Sequence, residues 1–545
     1  MNILIIDDMY KKEEIFKNFN NLIYSINKDK YKIEYAIDAL SGWRKLCKKK
    51  FDVIILDQEM GGGQKDGTSL LRKLEGKQDI PEIIFLTGKF NLIPATEILS
   101  INIAISFFIE KNEYAADMLY RAINLIEKKI DDGQTYHPND LFGIRFLNLL
   151  KRDLKYTINT PISGYMSLDQ QRQIGAIIRS YITSLEVRNY WKEDDIFQLT
   201  IFFIEALCGI FKIPSELVNV IRKFLDLEEI LYSIPRYRDH FFHQVKVFLL
   251  GFCIINELNK RKLVIGHIFD NDNGMKIWFV TSVFHDIGYP FEKINIWLNS
   301  YFESVLRSPG DYADGDLIPV HIDWGSLLGK RYHSFHLNEI SRIICSKYKE
   351  KDNIEIKNQV MAELLTKTTK YVTEKPDHGI FSSIILQNFL RKKIRDFEID
   401  DICIAVALHN EQITQIVREV LGEPLKFEND SLSFMLAYCD LAQDWGRIQS
   451  LSPSLSEFIK YGYPIFSSEE IFDQDQMIIT TKILFDRELS ALEQNEWKHK
   501  VFTKYIQPIE SRWKMSKTGD YHIHFSIKYF CKNSNGEVEL DEVTI

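Results

Sequence analysis

The chain has little cysteine, no excess of basic charge, no long apolar run and no repeat, and each absence closes off a class of explanation. Its seven cysteines, Cys47, Cys208, Cys253, Cys345, Cys403, Cys439 and Cys531, are scattered, odd in number and form no Cys-x-x-Cys pair. That argues against a disulfide framework and leaves reduced core residues as their reading. Lys and Arg number 68 against 77 Asp and Glu, a net charge of −9. Nonspecific nucleic-acid binding needs a basic footprint to displace phosphate counterions, and no helix-turn-helix is visible, so direct DNA binding is not expected. The apolar stretch Val247 to Ile255 is too short to span a bilayer, and Leu199 to Phe211 is interrupted by Glu205. The first strand runs straight into Asp7 and Asp8 with no secretory signal, so the chain is expected in the cytoplasm and away from membranes. With 545 residues, it should hold about three or four domains, because single cores stop growing beyond roughly 250 to 300 residues.

What is present falls into two strong patterns. In the first 130 residues, short apolar segments alternate with amphipathic helical stretches. Asn2 to Ile6, Lys32 to Ala36, Val53 to Leu56, Glu82 to Leu86 and Ile105 to Ile109 read as strands of a doubly wound parallel sheet. Ligands of such sheets bind at the carboxyl ends of the strands, and acids fall there: Asp7 and Asp8 end the first strand and Asp57 the third. Thr87 ends the fourth, and Lys111 follows the fifth. Three crowded carboxylates repel unless a hard cation sits among them, and Mg²⁺ needs few protein ligands because it keeps several waters. A carboxylate so placed can attack a phosphoryl group while the metal and a nearby Lys neutralise the developing charge.

This pattern resembles the response regulator receiver domain over residues 1 to about 130. The resemblance implies that Asp57 accepts a phosphoryl group from a sensor histidine kinase or a phosphotransfer protein. It also implies that Asp7, Asp8, Asp57 and the backbone carbonyl of Glu59 hold Mg²⁺, that Lys111 contacts the phosphoryl oxygens, and that Thr87 and Phe108 form the switch pair. Two departures touch loop rigidity but remove no chemical group. Gly61, within Gly61-Gly62-Gly63, and Asn112 stand where the family commonly has Pro.

The second pattern centres on His285 and Asp286, adjacent metal-type ligands among Val283, Phe284 and Ile287. An isolated buried charge is strongly disfavoured, so this pair should be hydrogen-bonded or bound to a cation. The surrounding run reads as helical, and neighbours on a helix are rotated by only ~100°, so both could reach one ion. Further candidates are His240 and His243 upstream and His378, His409 and Asp440 downstream, each in its own helical pattern. Imidazole with carboxylate suits Mn, Fe, Zn or Ni.

From residue 230 to 450 this order is similar to the HD superfamily of metal-dependent phosphohydrolases: His, then His-Asp, then a later Asp, with extra His residues where two metals bind. The resemblance implies His243, His285, Asp286 and Asp440 around one metal, His378 and His409 extending the site to a second, and His240 as an alternate to His243. Gly288-Tyr289-Pro290 follows the pair at once, whereas in the HD-GYP cyclic di-GMP phosphodiesterases the Gly-Tyr-Pro element lies well downstream. Cyclic di-GMP is therefore only one possible substrate; the resemblance implies a nucleotide or cyclic nucleotide, with Arg236, Arg238, Lys375 and Arg447 near enough in sequence to grip its phosphates. The alternative is an HD-like domain that binds a ligand or protein without hydrolysis.

Residues 131–229 read as a linker and helical connector, with long amphipathic runs at Leu141 to Tyr156 and Asp195 to Phe211. Residues 451–545 read as a small α+β region of unassigned role, with strands at Met477 to Leu484 and Tyr521 to Tyr529. The expected whole is multidomain: an α/β receiver, a mostly helical HD domain and this tail, as monomer or homodimer.

Overall fold

In a computed structural model of the chain, the described residues are 1–88, 103–127, 144–159, 167–187, 193–231, 240–260, 272–294, 330–348, 353–374, 377–391, 399–443, 468–472, 478–485 and 488–544, with short breaks inside some of these spans. They divide into two compact units: residues 1–139 with 151–214, and residues 140–150 with 215–545.

The first unit is built on five parallel strands, β1 (Asn2–Ile6), β2 (Lys32–Ala36), β3 (Val53–Asp57), β4 (Glu82–Thr87) and β5 (Phe107–Glu110), in the order β2-β1-β3-β4-β5. Helices α1 (Glu14–Ile26), α2 (Ala39–Leu46), α3 (Gly67–Leu74) and α4 (Ala115–Glu127) follow strands in the described residues. Continuous apolar runs suit strands covered on both faces, and Ile3 to Ile6, Val53 to Leu56 and Ile83 to Leu86 are fully buried. Parallel pairing in register brings the carboxyl ends of β1, β3 and β4 to one edge, with Ile6 opposite Leu56 and Asp57 opposite Leu86. After α5 (Ile144–Asn159), the helices α6 (Leu168–Val187) and α7 (Glu193–Phe211) also belong to this unit and pack on β5.

The second unit is mostly helical: α8 (Ser215–Leu231), α9 (Phe241–Lys260), α10 (Gly274–Val283), α11 (Lys330–Tyr348), α12 (Ile354–Glu374), α13 (His378–Arg391), α14 (Ile399–Leu408), α15 (Glu411–Leu421) and α16 (Ser431–Ala442). Helix α9 is the one described helix long and apolar enough to cross a membrane, longer than the Val247 to Ile255 run, and 94% of its most apolar 18-residue window is buried in the protein. Its composition is that of a central core helix. The tail adds a bridge of β6 (Leu425–Lys426) with β9 (Trp513–Lys514). It also adds a four-stranded mixed sheet of β7 (Ser468–Phe472), β8 (Ile478–Phe485), β10 (His524–Asn533) and β11 (Gly536–Thr544), ordered β11-β10-β8-β7. The tail backs α16: Phe434 meets Trp513 of β9 and Phe525 of β10, and the Tyr438 hydroxyl donates to the Ser526 carbonyl at 3.0 Å and lies 2.8 Å from Thr481 Oγ1.

The expected helical setting of His285 and Asp286 is not what forms. Helix α10 ends at Val283, Phe284 caps it at φ −118°, ψ 8°, and residues 285–288 make a turn before helix resumes over 289–294. Close approach of α13 requires glycine within that turn. A Cβ on Gly288 would lie 2.5 Å from the His378 carbonyl oxygen and 2.6 Å from the Ser382 nitrogen, and the Gly288 N–H donates to Ser382 Oγ at 2.8 Å.

Candidate functional site

Asp7 and Asp57, ending β1 and β3, are buried, Asp8 is exposed, and carboxylate oxygens of the three lie within 4.8 Å of one another. The Lys111 ammonium sits between them, 2.7 Å from Asp7 Oδ2, 3.0 Å from Asp57 Oδ2 and 3.1 Å from Glu13 Oε1. Its backbone N–H donates to the Thr87 carbonyl at 2.8 Å, which ties the lysine to the end of β4. Burial pushes the Asp57 carboxyl up to about 6, with Asp7 adding repulsion and Lys111 pulling the other way. Burial works against the Lys111 ammonium, yet Asp57 and Asp7 outweigh it and hold the proton more tightly than usual. Asp57 Oδ1 accepts from the Glu59 N–H at 3.2 Å. Thr87 is fully buried, and Phe108 on β5 packs edge-on against Phe85 at 5.8 Å. Gly61-Gly62-Gly63 lie outside the described residues. Glu13 was not singled out in the sequence, because a lone acid before an amphipathic helix carries no pattern.

In the second unit four imidazoles and two carboxylates converge from five segments. His243 comes from the first turn of α9, His285 and Asp286 from the turn after α10, His378 from the start of α13, His409 from the residue after α14, and Asp440 from α16. Every ring has its Nδ1 engaged. His243 Nδ1 is hydrogen-bonded to Gln443 Oε1, His285 Nδ1 meets the Ser282 carbonyl at 2.7 Å, His378 Nδ1 the Glu292 carboxylate at 2.7 Å, and His409 Nδ1 the Val406 carbonyl at 2.6 Å. Carbonyl and carboxylate acceptors place a proton on each Nδ1, so each Nε2 faces inward, where it lends its lone pair to a cation or, without one, carries a second proton; against burial, Asp286 and Asp440 favour that protonated form at His285, and Glu292 and Asp286 favour it at His378. The Nε2 atoms of His378 and His409 face each other at 3.1 Å, and His285 Nε2 is buried with no hydrogen-bond partner. Two facing lone pairs repel unless a cation or a shared proton lies between them.

The carboxylates link these nitrogens. Asp440 Oδ1 is 2.7 Å from His243 Nε2 and 3.6 Å from His285 Nε2. Asp286 Oδ2 is 3.4 Å from His285 Nε2, while Oδ1 is 3.4 Å from His409 Nε2 and 3.6 Å from His378 Nε2. Burial alone would raise the Asp286 and Asp440 carboxyls. The surrounding imidazoles, His285 first for Asp286 and His243 first for Asp440, instead hold both well below the usual carboxylate range. Groups of the type His243, His285, Asp286 and Asp286, His378, His409 fit the donor set of a divalent transition metal, with Asp286 common to both. Three ligands, His243, His285 and His409, are almost wholly buried, whereas Asp440 is 30% and His378 18% exposed, so solvent reaches the group at those two side chains.

His240 stands outside these groups: its ring stacks on Tyr289 at 3.4 Å, and its backbone N–H donates to the buried Glu228 carboxylate at 2.5 Å. Arg236, Arg238, Lys375 and Arg447 lie outside the described residues. Sequence reasoning missed Gln443, Glu292 and Lys293. Glu292, held down to about 2 against burial by His378 and Lys293, orients His378. The Lys293 ammonium lies 2.8 Å from Glu292 Oε1 and 4.6 Å from the centre of the Tyr289 ring. The available signal was position, since both residues lie on the helical stretch that follows His285-Asp286.

A five-stranded parallel sheet with a buried acid triad and a lysine at its carboxyl edge defines the class of the first unit. Residues 3–124 match the response regulator receiver domain, and this part of the chain is such a domain, a component of phosphorelay signalling. Among solved structures it is similar to the amino-terminal domain of a response regulator/sensory box/GGDEF three-domain protein of Carboxydothermus hydrogenoformans, at 20% identity over 23% of this chain and 93% of that one, TM-score 0.19. A CheY-like receiver domain protein of Methanospirillum hungatei JF-1 is 22% identical over 23% and 93%, TM-score 0.19. The signal receiver domain of an HD domain-containing protein of Pseudomonas fluorescens Pf-5 is 21% identical over 23% and 90%, TM-score 0.19. No curated protein matches the chain.

Proposed function

We propose that the chain is a response regulator whose receiver, phosphorylated on Asp57, governs an HD-type metal-dependent phosphohydrolase acting on a nucleotide or cyclic nucleotide. The observation that carries the output half is the set of four imidazoles with every Nδ1 held by an acceptor and every Nε2 turned toward two shared carboxylates. Orientation of this kind is what hydrogen-bonded metal-ligating histidines have, and it costs folding energy unless a cation joins the nitrogens. His243, His285 and Asp440 would hold one divalent ion, His378 and His409 a second, with Asp286 reaching both. Such ions supply an acidified water and a Lewis acid for the phosphoryl oxygen.

The protein's own groups do the rest. Gln443, Ser282, Glu292 and Val406 fix the ring tautomers, so no imidazole has to reorganise during turnover. Asp440, at the exposed side, faces the incoming substrate. Lys293, paired with Glu292 beside His378, puts an ammonium on that side of the cluster, where it could meet an anionic phosphoryl group. In the receiver, Asp7, Asp8, Asp57 and the Glu59 carbonyl would hold Mg²⁺, which neutralises charge as Asp57 takes a phosphoryl group from a histidine kinase or phosphotransfer partner; Lys111 contacts the phosphoryl oxygens. The test is a hydrolysis screen of nucleotides and cyclic dinucleotides with the Mn²⁺-loaded full chain beside Asp286→Ala. Turnover lost in the variant supports the site. Equal turnover in both proteins overturns it, and metal bound without any turnover replaces hydrolysis by a ligand-binding output.

A further inference from the structure

The acceptor pocket of the first unit holds one acid more than the three that gather at its strand ends. Glu13 lies between β1 and α1, and its backbone N–H donates to the Met9 carbonyl at 3.0 Å, while the Met9 N–H donates to Asp7 Oδ1 at 2.7 Å. Glu13 is thereby tied back to the residue that ends β1. Its side chain reaches the pocket lysine, with Oε1 accepting from Lys111 Nζ at 3.1 Å. The other oxygen, Oε2, is buried and makes no hydrogen bond among the described residues. A buried carboxylate oxygen without a donor costs stability, so the Lys111 ammonium is what offsets the placement of this acid.

An ammonium has three N–H donors, and three carboxylates surround this one: Asp7 at 2.7 Å, Asp57 at 3.0 Å and Glu13 at 3.1 Å. A phosphoryl group on Asp57 adds negative charge and strong acceptor oxygens, so its contact with Lys111 requires a present partner to give way. Asp57 carries the group and stays. Asp7 is fully buried, makes the shortest contact and is held by the Met9 N–H as well. Glu13 makes the longest contact and has a side chain 24% exposed, so it is the partner that can turn to water. Its charge also opposes the incoming group directly. Glu13 Oε1 and Asp57 Oδ2 reach the same nitrogen, so no more than the combined length of those two contacts separates them. Like charges at that range, partly buried and partly screened, change a binding constant by roughly 3–30-fold.

We infer that Glu13 is a displaceable counter-ion of Lys111: it opposes the loading of a phosphoryl group on Asp57 and strengthens the hold of the unphosphorylated pocket on a divalent cation. The inference rests on the reading of Asp57 as acceptor and of Lys111 as the group that meets the phosphoryl oxygens. Glu13 acts through Lys111 and through its charge, and is a positioning residue. Its two effects have opposite signs, because one negative charge repels the phosphoryl oxygens and attracts the cation. A carboxylate that only braced the segment between β1 and α1 would, on removal, weaken both.

Two titrations of the full chain separate these effects. Beryllofluoride, a phosphoryl mimic, is titrated at saturating Mg²⁺ and read by fluorine NMR; the Mg²⁺ concentration for half-maximal labelling of Asp57 is then measured with acetyl phosphate. Glu13→Gln should bind beryllofluoride roughly 3–30-fold more tightly than wild type and require several-fold more Mg²⁺. Glu13→Asp keeps the charge and should stay nearer to wild type in both. Unchanged beryllofluoride affinity in Glu13→Gln, or weaker binding of both probes, would overturn the inference. So would a Glu13→Asp variant that matches Glu13→Gln, since shape rather than charge would then carry the effect. A wild-type chain that neither binds beryllofluoride nor takes label fails at the acceptor reading itself, before Glu13 is tested.

Discussion

Replacing Asp57 by Asn should stabilise the metal-free receiver at neutral pH, although it destroys the acceptor. The Asp57 carboxyl is 2% exposed and is pushed from 3.8 to about 6, chiefly by burial. A folded-state value above the unfolded one means that the ionised form costs stability. The cost is absent below about pH 4, grows between 4 and 6, and is complete above about 6. At about 1.4 kcal/mol per unit the shift amounts to roughly 3 kcal/mol. Asn also removes one counter-charge of Lys111, but Asp7 and Glu13 remain within 3.1 Å of that ammonium. The net gain should therefore be about 1–3 kcal/mol, or roughly 3–8 °C in the receiver's melting temperature for a unit of this size. Thermal unfolding at pH 7.5 and pH 4.5 without divalent ions measures it, the receiver transition being the one that shifts with Mg²⁺. The gain should nearly vanish at pH 4.5 and narrow at pH 7.5 when Mg²⁺ supplies positive charge. A variant less stable than wild type at pH 7.5, or equally stabilised at both pH values, would refute the reasoning.

Three other perturbations separate the contributions of neighbouring groups. Lys111→Ala leaves Asp7 and Asp57 facing without their ammonium, so the metal-free receiver should lose about 2–4 kcal/mol and recover most of it with Mg²⁺; no recovery would argue against a cation site there. Glu292→Gln should weaken the ion held by His378 and His409 by about 10–100-fold and leave the ion at His243 and His285 bound, as read by competitive metal titration. Equal loss at both would place Glu292 elsewhere in the logic of the site. Tyr438→Phe removes a buried hydroxyl shared with Thr481 and the Ser526 carbonyl and should cost about 1–3 kcal/mol in urea unfolding of the second unit. A neutral substitution would mean that the tail does not brace the helix carrying Asp440.

The receiver was legible almost residue by residue, because a parallel sheet buried on both faces writes each strand as a short apolar run with its acids at the carboxyl end. Expected Val53 to Leu56 became Val53–Asp57, and expected Ile105 to Ile109 became Phe107–Glu110. The tail was less so. β11, Gly536–Thr544, is an edge strand in which Val538 and Leu540 alternate with Glu537, Glu539 and Asp541, but a bulge opposite Tyr529 and Phe530 breaks the pattern before Val543 and the acids dominate it; Lys482, Lys498 and Lys528 neutralise it across the sheet and beside it. The residue types of the His and Asp cluster could be read from the chain, but not their setting. An apolar run around His285 looks helical, and the turn that forms there instead, with Gly288 against α13, is set by packing far along the chain. Glu292, Gln443 and Lys293 gain meaning through packing partners far away in sequence. The docking of α6 and α7 on β5 was equally hidden, since an amphipathic helix records that it has a partner and not which one.

The central claim is that the converging imidazoles and carboxylates are a metal centre, and elemental analysis of the purified full chain tests it most directly. About two divalent transition-metal ions per chain are expected, falling to about one in His378→Ala, His409→Ala and to none in Asp286→Ala. A correctly folded wild-type chain that binds no such ion from Mn²⁺, Fe²⁺, Zn²⁺ or Ni²⁺, or an Asp286→Ala variant that keeps the wild-type complement, would contradict the account.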